Sequence, residues 1–297
     1  MMQKMLSFFM AIVAFFMQLL GLSEKKNYND FRDISFGSDP NQVVDLAVPT
    51  NAGTETGLFV YIHGGAWISG DEDNGWETVK YCAQELKLSA ASVNYRFLSD
   101  GGSVHCREML DDIASGITAA VNKAAENGVK IKSLAIGGTS AGAHLALLYA
   151  YLRSDEAPVP IKFVYSEVGP ADFTGRTFLD GCTGMNKALV LSLLSELSGT
   201  TVTDANIETA AVQNALQAVS PVTYVTPISV PTLMAYGAKD DIVPIGIAHS
   251  LDNALNSAGV KHDLFMFPRS GHSLNSDRAV RKAYKAKLLE YIRTYLY

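Results

Sequence analysis

The chain has 297 residues, of which 48% are hydrophobic and 18% are charged, and its formal net charge is -6. This composition predicts a globular protein with one large core and excludes a disordered chain. Phosphate backbones bind clustered Lys and Arg side chains, and this acidic chain has no basic run of that kind. The composition therefore argues against nucleic acid as a partner.

The three cysteines, Cys82, Cys106 and Cys182, are not arranged as metal ligands. They have no CxxC spacing and no paired His, so the sequence predicts neither a metal nor another cofactor. Two interpretations stay open: all three are ordinary buried thiols, or an exported chain joins two of them in a disulfide.

The N-terminus has the pattern of a secretory signal. Lys4 precedes an apolar stretch over residues 8–20, which is shorter than the roughly 20 residues that span a bilayer. Residues 1–23 are therefore predicted to be a signal peptide, with an uncleaved N-terminal hydrophobic anchor as the alternative. The protein is then expected to be secreted or extracytoplasmic, and to touch a membrane only through this segment if it is retained.

From residue 24 onward, strand and helix patterns alternate. Apolar runs predict strands at 43–48, 58–62, 90–95, 134–136, 163–165, 233–236 and 264–267. Helical spacing of apolar residues falls between them, at 77–86, 110–127, 141–152, 247–258 and 279–295. The alternation predicts a single α/β domain over residues 24–297, with a mostly parallel central sheet flanked by helices.

The alternation is interrupted once, between residues 172 and 219. Glycine-rich turns and two amphipathic helices, at 187–197 and 204–215, fill this interval. We expect a short helical cap over one edge of the sheet, and the cap is too short to cover a lipid substrate.

Ser140 is the candidate nucleophile. It is the central residue of Gly-Thr-Ser-Ala-Gly, residues 138–142, between a predicted strand and a predicted helix. A sharp turn there would raise the hydroxyl above the sheet edge, and small residues two positions before and after it make such a turn sterically possible. A serine hydroxyl also needs a base to take its proton.

The sequence His-Gly-Gly-Ala-Trp, residues 63–67, directly follows the strand predicted at 58–62. Glycines let the backbone approach a ligand closely and present N–H groups to it. The N–H groups of Gly65, Ala66 and Ala141 are the predicted oxyanion hole, and His63 is predicted to hold the loop by hydrogen bonds. Trp67 is predicted to contact substrate, with simple core packing as the alternative.

A candidate acid and base follow later strands. Asp240 is the preferred acid over the adjacent Asp241, and His272 is the candidate base. The order Ser, Asp, His suits loops that leave one edge of a parallel sheet. His144, one helical turn after Ser140, is predicted to be a packed core residue, and Glu167 contacts either substrate or a loop.

Together these segments resemble the α/β-hydrolase superfamily, and within it the HGG-bearing esterase and lipase branch related to hormone-sensitive lipase and to bacterial BD-FAE-type carboxylesterases. The resemblance extends from about residue 43 to the C-terminus. Many members carry a third glycine where Ala66 stands. Alanine keeps the N–H donor there and narrows the acyl site.

The resemblance implies a serine carboxylesterase that acts on a small-molecule ester through an acyl-enzyme. Small to medium acyl esters are favoured, including acetyl or feruloyl esters of carbohydrates. An amidase of the kynurenine formamidase type is the first alternative, because relatives of that type share the tryptophan at Trp67. A hydrolase-like binding protein without catalysis is the second, and the sequence does not predict the oligomeric state.

Overall fold

The computed structural model describes residues 26–50, 53–98 and 102–297, so the predicted signal segment, residues 1–23, lies outside the described residues. The strands are β1 (Tyr28–Ser35), β2 (Val43–Pro49), β3 (Glu55–Ile62), β4 (Ser89–Val93), β5 (Lys130–Thr139), β6 (Ile161–Glu167), β7 (Thr232–Gly237) and β8 (His262–Phe267).

The helices are α1 (Trp76–Glu85), α2 (Cys106–Glu126), α3 (Ala141–Leu152), α4 (Thr177–Gly181), α5 (Lys187–Ser198), α6 (Ala210–Ala218), α7 (Ile245–Ala258) and α8 (Arg278–Tyr295). Short 3-10 turns occur at Glu72–Gly75, Ser154–Glu156 and Pro221–Tyr224. Across the described ranges, no helix combines the length and apolar character that a membrane span requires.

The strands form one sheet in the order β1-β2-β4-β3-β5-β6-β7-β8. β2 pairs antiparallel with both β1 and β4, and the pairs from β4 to β8 are all parallel. The predicted mostly parallel sheet is therefore confirmed. Because its parallel strands run in one direction, their carboxyl ends and the loops that follow meet at one edge.

Two apolar layers enclose the sheet. Successive side chains of a strand point to opposite faces, so Leu134 and Ile136 of β5 enter one layer and Ala135 enters the other. Helices α2, α3 and α7 contribute to the first layer, and α1 and α8 to the second. Because helices cover both faces of the sheet, the central strands are apolar on both sides. This explains the continuous apolar runs from which these strands were predicted.

Several predicted bounds differ from the structure, and two of the differences have a clear physical cause. The helix expected at 204–215 begins only at Ala210, because Thr203 N donates to Asn206 Oδ1 (2.7 Å) and Asn206 N to Thr203 Oγ1 (3.2 Å), which closes a turn. The strand expected at 134–136 runs on through Gly137, which pairs with Tyr165. A Cβ on Gly137 would lie 2.2 Å from the Tyr165 ring, so glycine is what lets the ring cover the strand.

The interval from 172 to 219 contains α4, α5 and α6. Gly184, between α4 and α5, donates its N–H to the carbonyl of Asp241 at 2.7 Å. The predicted cap insertion therefore lies against the loop that carries the candidate acid.

Cys82, Cys106 and Cys182 are all free and buried. Burial raises the pKa of the Cys82 thiol to about 12. The buried-thiol interpretation is thus confirmed for all three.

Candidate active site

Ser140 lies on a strained turn between β5 and α3. Its backbone has φ 54° and ψ -122°, and a positive φ is uncommon for a residue with a side chain. The turn is held by a hydrogen bond from Ser140 N to the carbonyl of Glu167 at 2.8 Å. Ser140 is also the N-cap residue of α3, where the N–H groups of the first turn have no partner within the helix.

The two glycines around Ser140 let the turn pack directly on the end of β3. A Cβ on Gly138 would lie 2.0 Å from the carbonyl oxygen of Ile62, and one on Gly142 would lie 2.1 Å from the same atom. No larger residue fits at either position without moving β3. The spacing of small residues that singled out Ser140 in the sequence thus has a direct steric cause.

His272 and Asp240 meet across two neighbouring loops. His272 Nδ1 lies 2.8 Å from Asp240 Oδ2, and the Asp240 side chain is fully buried while that of His272 is 28% exposed. The other carboxylate oxygen, Oδ1, accepts from the N–H groups of Ile242 and Val243, both at 2.9 Å. The carboxylate therefore orients the imidazole through Nδ1 and leaves Nε2 available to other partners. The described contacts include no hydrogen bond between His272 and Ser140 Oγ, a contact that often tightens only when substrate binds.

The loops after β7 and β8 are joined to each other. Lys239 N donates to the carbonyl of Ser270 at 3.0 Å, and a Cβ on Gly237 would lie 2.5 Å from the carbonyl oxygen of Gly271. Asp277 braces the second loop, since its carboxylate accepts from Ser270 Oγ (2.7 Å) and from the backbone N of Arg269 (2.9 Å). Sequence reasoning missed Asp277, because its side chain turns back to the preceding loop and caps no N–H group of α8.

The loop at residues 63–67 has an unusual backbone. Gly65, Ala66 and Trp67 have φ of 126°, 52° and 62°. Gly65 accepts from the N–H groups of Ile68 and Ser69, both at 3.1 Å, whereas no hydrogen bond in the described ranges uses the N–H groups of Gly65 and Ala66. These donors are thus available to a ligand at the same edge as Ser140.

His63 is buried beneath this loop. Its Nδ1 lies 2.7 Å from the carbonyl oxygen of Gly64, its Nε2 lies 2.8 Å from Asn94 Oδ1, and its ring stacks on Tyr95 with centroids 4.5 Å apart. Burial lowers the pKa of His63. These contacts agree with the predicted structural role. Asn94, which follows β4, is a second supporting residue that sequence reasoning missed.

His144 and Trp67 form a hydrogen-bonded pair in the core. The indole N–H of Trp67 donates to His144 Nδ1 at 3.1 Å, and His144 Nε2 lies 2.8 Å from the carbonyl oxygen of Val219. His144 is fully buried and only 4% of Trp67 is exposed, so His144 is the packed core residue that was predicted. Contact of Trp67 with substrate stays a prediction, and the burial favours a supporting role for the ring.

We expect His144 to make folding pH-dependent. Burial lowers its pKa from 6.5 to about 4. In the unfolded chain His144 takes up a proton near pH 6.5, whereas the folded chain keeps it neutral. The unfolded state therefore binds more protons, and the free energy of unfolding falls as the pH drops from 6.5 to 4. Between pH 7 and pH 5 this contributes a loss of about 2 kcal/mol in the free energy of unfolding.

Urea unfolding at pH 7 and pH 5 measures this effect. H144Q should have a pH slope shallower by that amount, whereas H249Q, at an exposed histidine of α7, should keep the wild-type slope. Equal slopes in H144Q and the wild type would contradict the assignment.

A strained serine turn, with a histidine and a carboxylate on later strand ends of a mostly parallel sheet, defines the α/β-hydrolase fold. Solved structures agree with this class. Esterase B of Lactobacillus rhamnosis superposes with a TM-score of 0.69 at 17% identity, over 99% of this chain and 93% of that one. A truncated carbohydrate esterase from gut microbiota gives 0.67 at 15% identity, over 90% and 98%.

The sequence profile of the BD-FAE family matches residues 44–255, well over half of the chain, and the chain therefore belongs to the BD-FAE family. It is 22% identical to a probable isoprenylcysteine alpha-carbonyl methylesterase of Oryza sativa, over 90% of this chain and 62% of that protein. It is 26% identical to the carboxylic ester hydrolase LipN of Mycobacterium tuberculosis, over 52% and 42%. The chain thus spans less than two thirds of the length of these curated relatives. The fold and family predicted from the sequence are confirmed.

Proposed function

We propose that the protein is a serine carboxylesterase that hydrolyses small to medium acyl esters. Ser140 attacks the ester carbonyl while His272 takes its proton, and Asp240 orients the imidazole and stabilises its charge. The protonated His272 then gives the proton to the leaving alcohol, and water, activated by the same base, releases the acid from Ser140. No cofactor takes part in these steps.

The observation that carries this proposal is the 2.8 Å contact between His272 and the buried carboxylate of Asp240, at the edge where Ser140 occupies its strained turn. A carboxylate held by two backbone N–H groups and buried beside an imidazole is the arrangement that prepares a general base. The named relatives and structural neighbours, which include several esterases, support the same chemistry.

The N–H groups of Gly65, Ala66 and Ala141 are proposed to bind the oxyanion of the tetrahedral intermediate. The first two are unused by the described chain, and the third lies at the N-terminus of α3, where the helix dipole favours negative charge. Such donors act mainly on the transition state, so their loss lowers kcat.

Gly65→Ala tests this loop. At φ 126° a Cβ would lie 1.8 Å from the carbonyl oxygen of Ser69, so the loop must move, and we expect kcat to fall by about 10²- to 10³-fold. Gly128→Ala is the matched control, because Gly128 also has a positive φ (76°), follows α2 and has no atom within 4 Å of an added Cβ. It should lower stability while leaving kcat/KM unchanged. Unchanged kcat in G65A would remove this loop from the oxyanion hole.

The substrate class follows from the cap and the relatives. The insertion over the candidate acid consists of three helices, of which the longest, α5, has 12 residues, and this favours short acyl groups over long lipids. A solved structural neighbour is named a carbohydrate esterase. Acetyl and feruloyl esters of carbohydrates are therefore the proposed natural class.

A p-nitrophenyl ester series from acetate to laurate tests the function, beside a matched p-nitroanilide and acetylated and feruloylated sugars. We expect the highest kcat/KM on the short esters. On the matched anilide we expect kcat/KM to be lower by at least about a hundredfold, which is the effect of losing one hydrogen bond to the transition state. A preference for the anilide or for a formamide would establish the amidase alternative. Absence of turnover together with absence of labelling by a fluorophosphonate probe would establish a binding protein.

We also propose that residues 1–23 direct export, on the charge and hydrophobicity pattern of the sequence. Intact-mass analysis of protein expressed from the full sequence checks this. A mass that lacks about the first 23 residues supports cleavage, whereas a full-length mass in the membrane fraction supports an anchor.

A further inference from the structure

Three carboxylates that are distant in the sequence meet at the antiparallel edge of the sheet. They belong to Asp33 on β1, Asp45 on β2 and Glu72 in the 3-10 turn that follows the candidate oxyanion loop. One oxygen from each lies within 4.8 Å of the others. Asp45 is fully buried, Glu72 is 6% exposed, and Asp33 faces solvent. We propose that these three residues bind a calcium ion.

A second observation, separate from the proximity of the acids, indicates a ligand here. Glu72 Oε2 is buried and has no hydrogen-bond partner within the described ranges. A buried carboxylate oxygen without a donor or a positive charge is strongly unfavourable, so such an oxygen indicates a missing partner. A bound cation supplies that partner.

The charges around the cluster also leave Glu72 uncompensated. Arg32 pairs with Asp45 through a 2.8 Å contact from Nε to Oδ2, and its guanidinium also contacts Asp73. Asp71 and Asp73 flank Glu72 in the sequence and add negative charge beside it, whereas no basic side chain pairs with Glu72 within the described ranges. The local net charge favours a divalent cation over a second hydrogen bond.

The spacing of the three oxygens accommodates a calcium ion. Ca²⁺ binds carboxylate oxygens at about 2.3–2.6 Å, so ligands on opposite sides of the ion lie up to about 5 Å apart. The three carboxylate oxygens lie within 4.8 Å of one another and therefore within that span. Mg²⁺ at about 2.0–2.1 Å requires a tighter octahedron, and the exposed Asp33 leaves room for the waters that complete a calcium shell.

The position of the site indicates a stabilising role. Gly70 lies two residues before Glu72, and a Cβ on Gly70 would lie 2.1 Å from His63 Nδ1 and 2.5 Å from the carbonyl oxygen of Gly64. The turn that carries Glu72 is thus packed on the base of the candidate oxyanion loop. An ion shared with Asp33 and Asp45 would tie that base to β1 and β2.

The full chain, treated with EDTA and desalted, is titrated with CaCl₂ by calorimetry, and its thermal unfolding is followed in 1 mM CaCl₂ and in EDTA. For a Kd on the order of 10⁻⁵ M we expect saturable heat and a rise in Tm of about 3–6 °C. MgCl₂ at the same concentration should give a smaller rise.

E72Q should abolish both the heat and the Tm shift. Because Glu72 is buried, D33N provides a second variant at an exposed position, with calcium affinity expected to fall about tenfold. E77Q is the matched control, since the Glu77 side chain on α1 is 87% exposed and lies outside the cluster, and it should keep both signals. No heat and no shift in the wild type would overturn the proposal, and a full shift in E72Q would overturn it in favour of calcium binding at another site.

Discussion

Replacing Ser140 by alanine is expected to lower kcat on a short p-nitrophenyl ester by about 10⁴- to 10⁶-fold. The variant lacks the oxygen that forms the acyl-enzyme, so only substrate binding and the oxyanion N–H groups remain to assist water. The hydroxyl makes no hydrogen bond in the described chain, and the substitution therefore removes no contact that holds the fold. We expect the variant to unfold at a Tm close to that of the wild type.

The measurement combines steady-state kinetics with covalent labelling by a fluorophosphonate probe. S140A should lose the label, and peptide mapping of the wild type should place it on Ser140. Ser273→Ala is the matched control, because Ser273 is an exposed serine next to His272, and it should stay within about twofold of the wild type. Labelling of S140A at the wild-type level would mean that another residue is the nucleophile.

The site was predictable because its residues follow strands. Ser140, His272 and the 63–67 segment each come directly after an apolar run, and parallel strands bring such loops to one edge. The sequence preferred Asp240 but left Asp241 open. Which of the two aspartates is the acid depends on which carboxylate points toward His272. Neighbouring side chains in a loop point in different directions, and only the folded loop determines these directions.

The supporting residues were harder to predict. Asn94 holds His63, and Asp277 holds the loop of His272, through contacts that span 31 and seven positions of the chain. Neither belongs to a pattern that carries chemistry by itself. Their roles become visible only when the loops are placed side by side.

At the antiparallel edge, β2 was predicted but β1 was not. β1 carries Tyr28, Phe31 and Ile34 at intervals of three, and most of its residues are exposed, so it lacks the alternation that indicates a strand. A register shift between Phe31 and Ile34 marks an irregularity around Asp33, where φ is 52°. Asp33 of the carboxylate cluster lies at this irregularity, and the absence of metal-ligand spacing among the cysteines, from which the sequence predicted no metal, does not bear on a carboxylate site.

Replacing Asp240 by asparagine is expected to lower kcat by about 10⁴-fold, with a much smaller effect on stability. The amide has nearly the shape of the carboxylate and can still accept the N–H groups of Ile242 and Val243 through its oxygen. Its NH₂ group then faces His272 Nδ1, which favours the tautomer with a proton on Nε2 and removes the general base.

Asp241→Asn is the control that the structure supplies. Asp241 contacts the cap through its backbone carbonyl, which accepts from Gly184 N at 2.7 Å, and the substitution leaves that bond in place. We therefore expect D241N to retain wild-type kcat/KM, measured over pH 5 to 9 beside D240N. The reverse result, an active D240N with an inactive D241N, would transfer the acid role to Asp241. It would also require the loop to rearrange when substrate binds, because in the present geometry the carboxylate that reaches His272 belongs to Asp240.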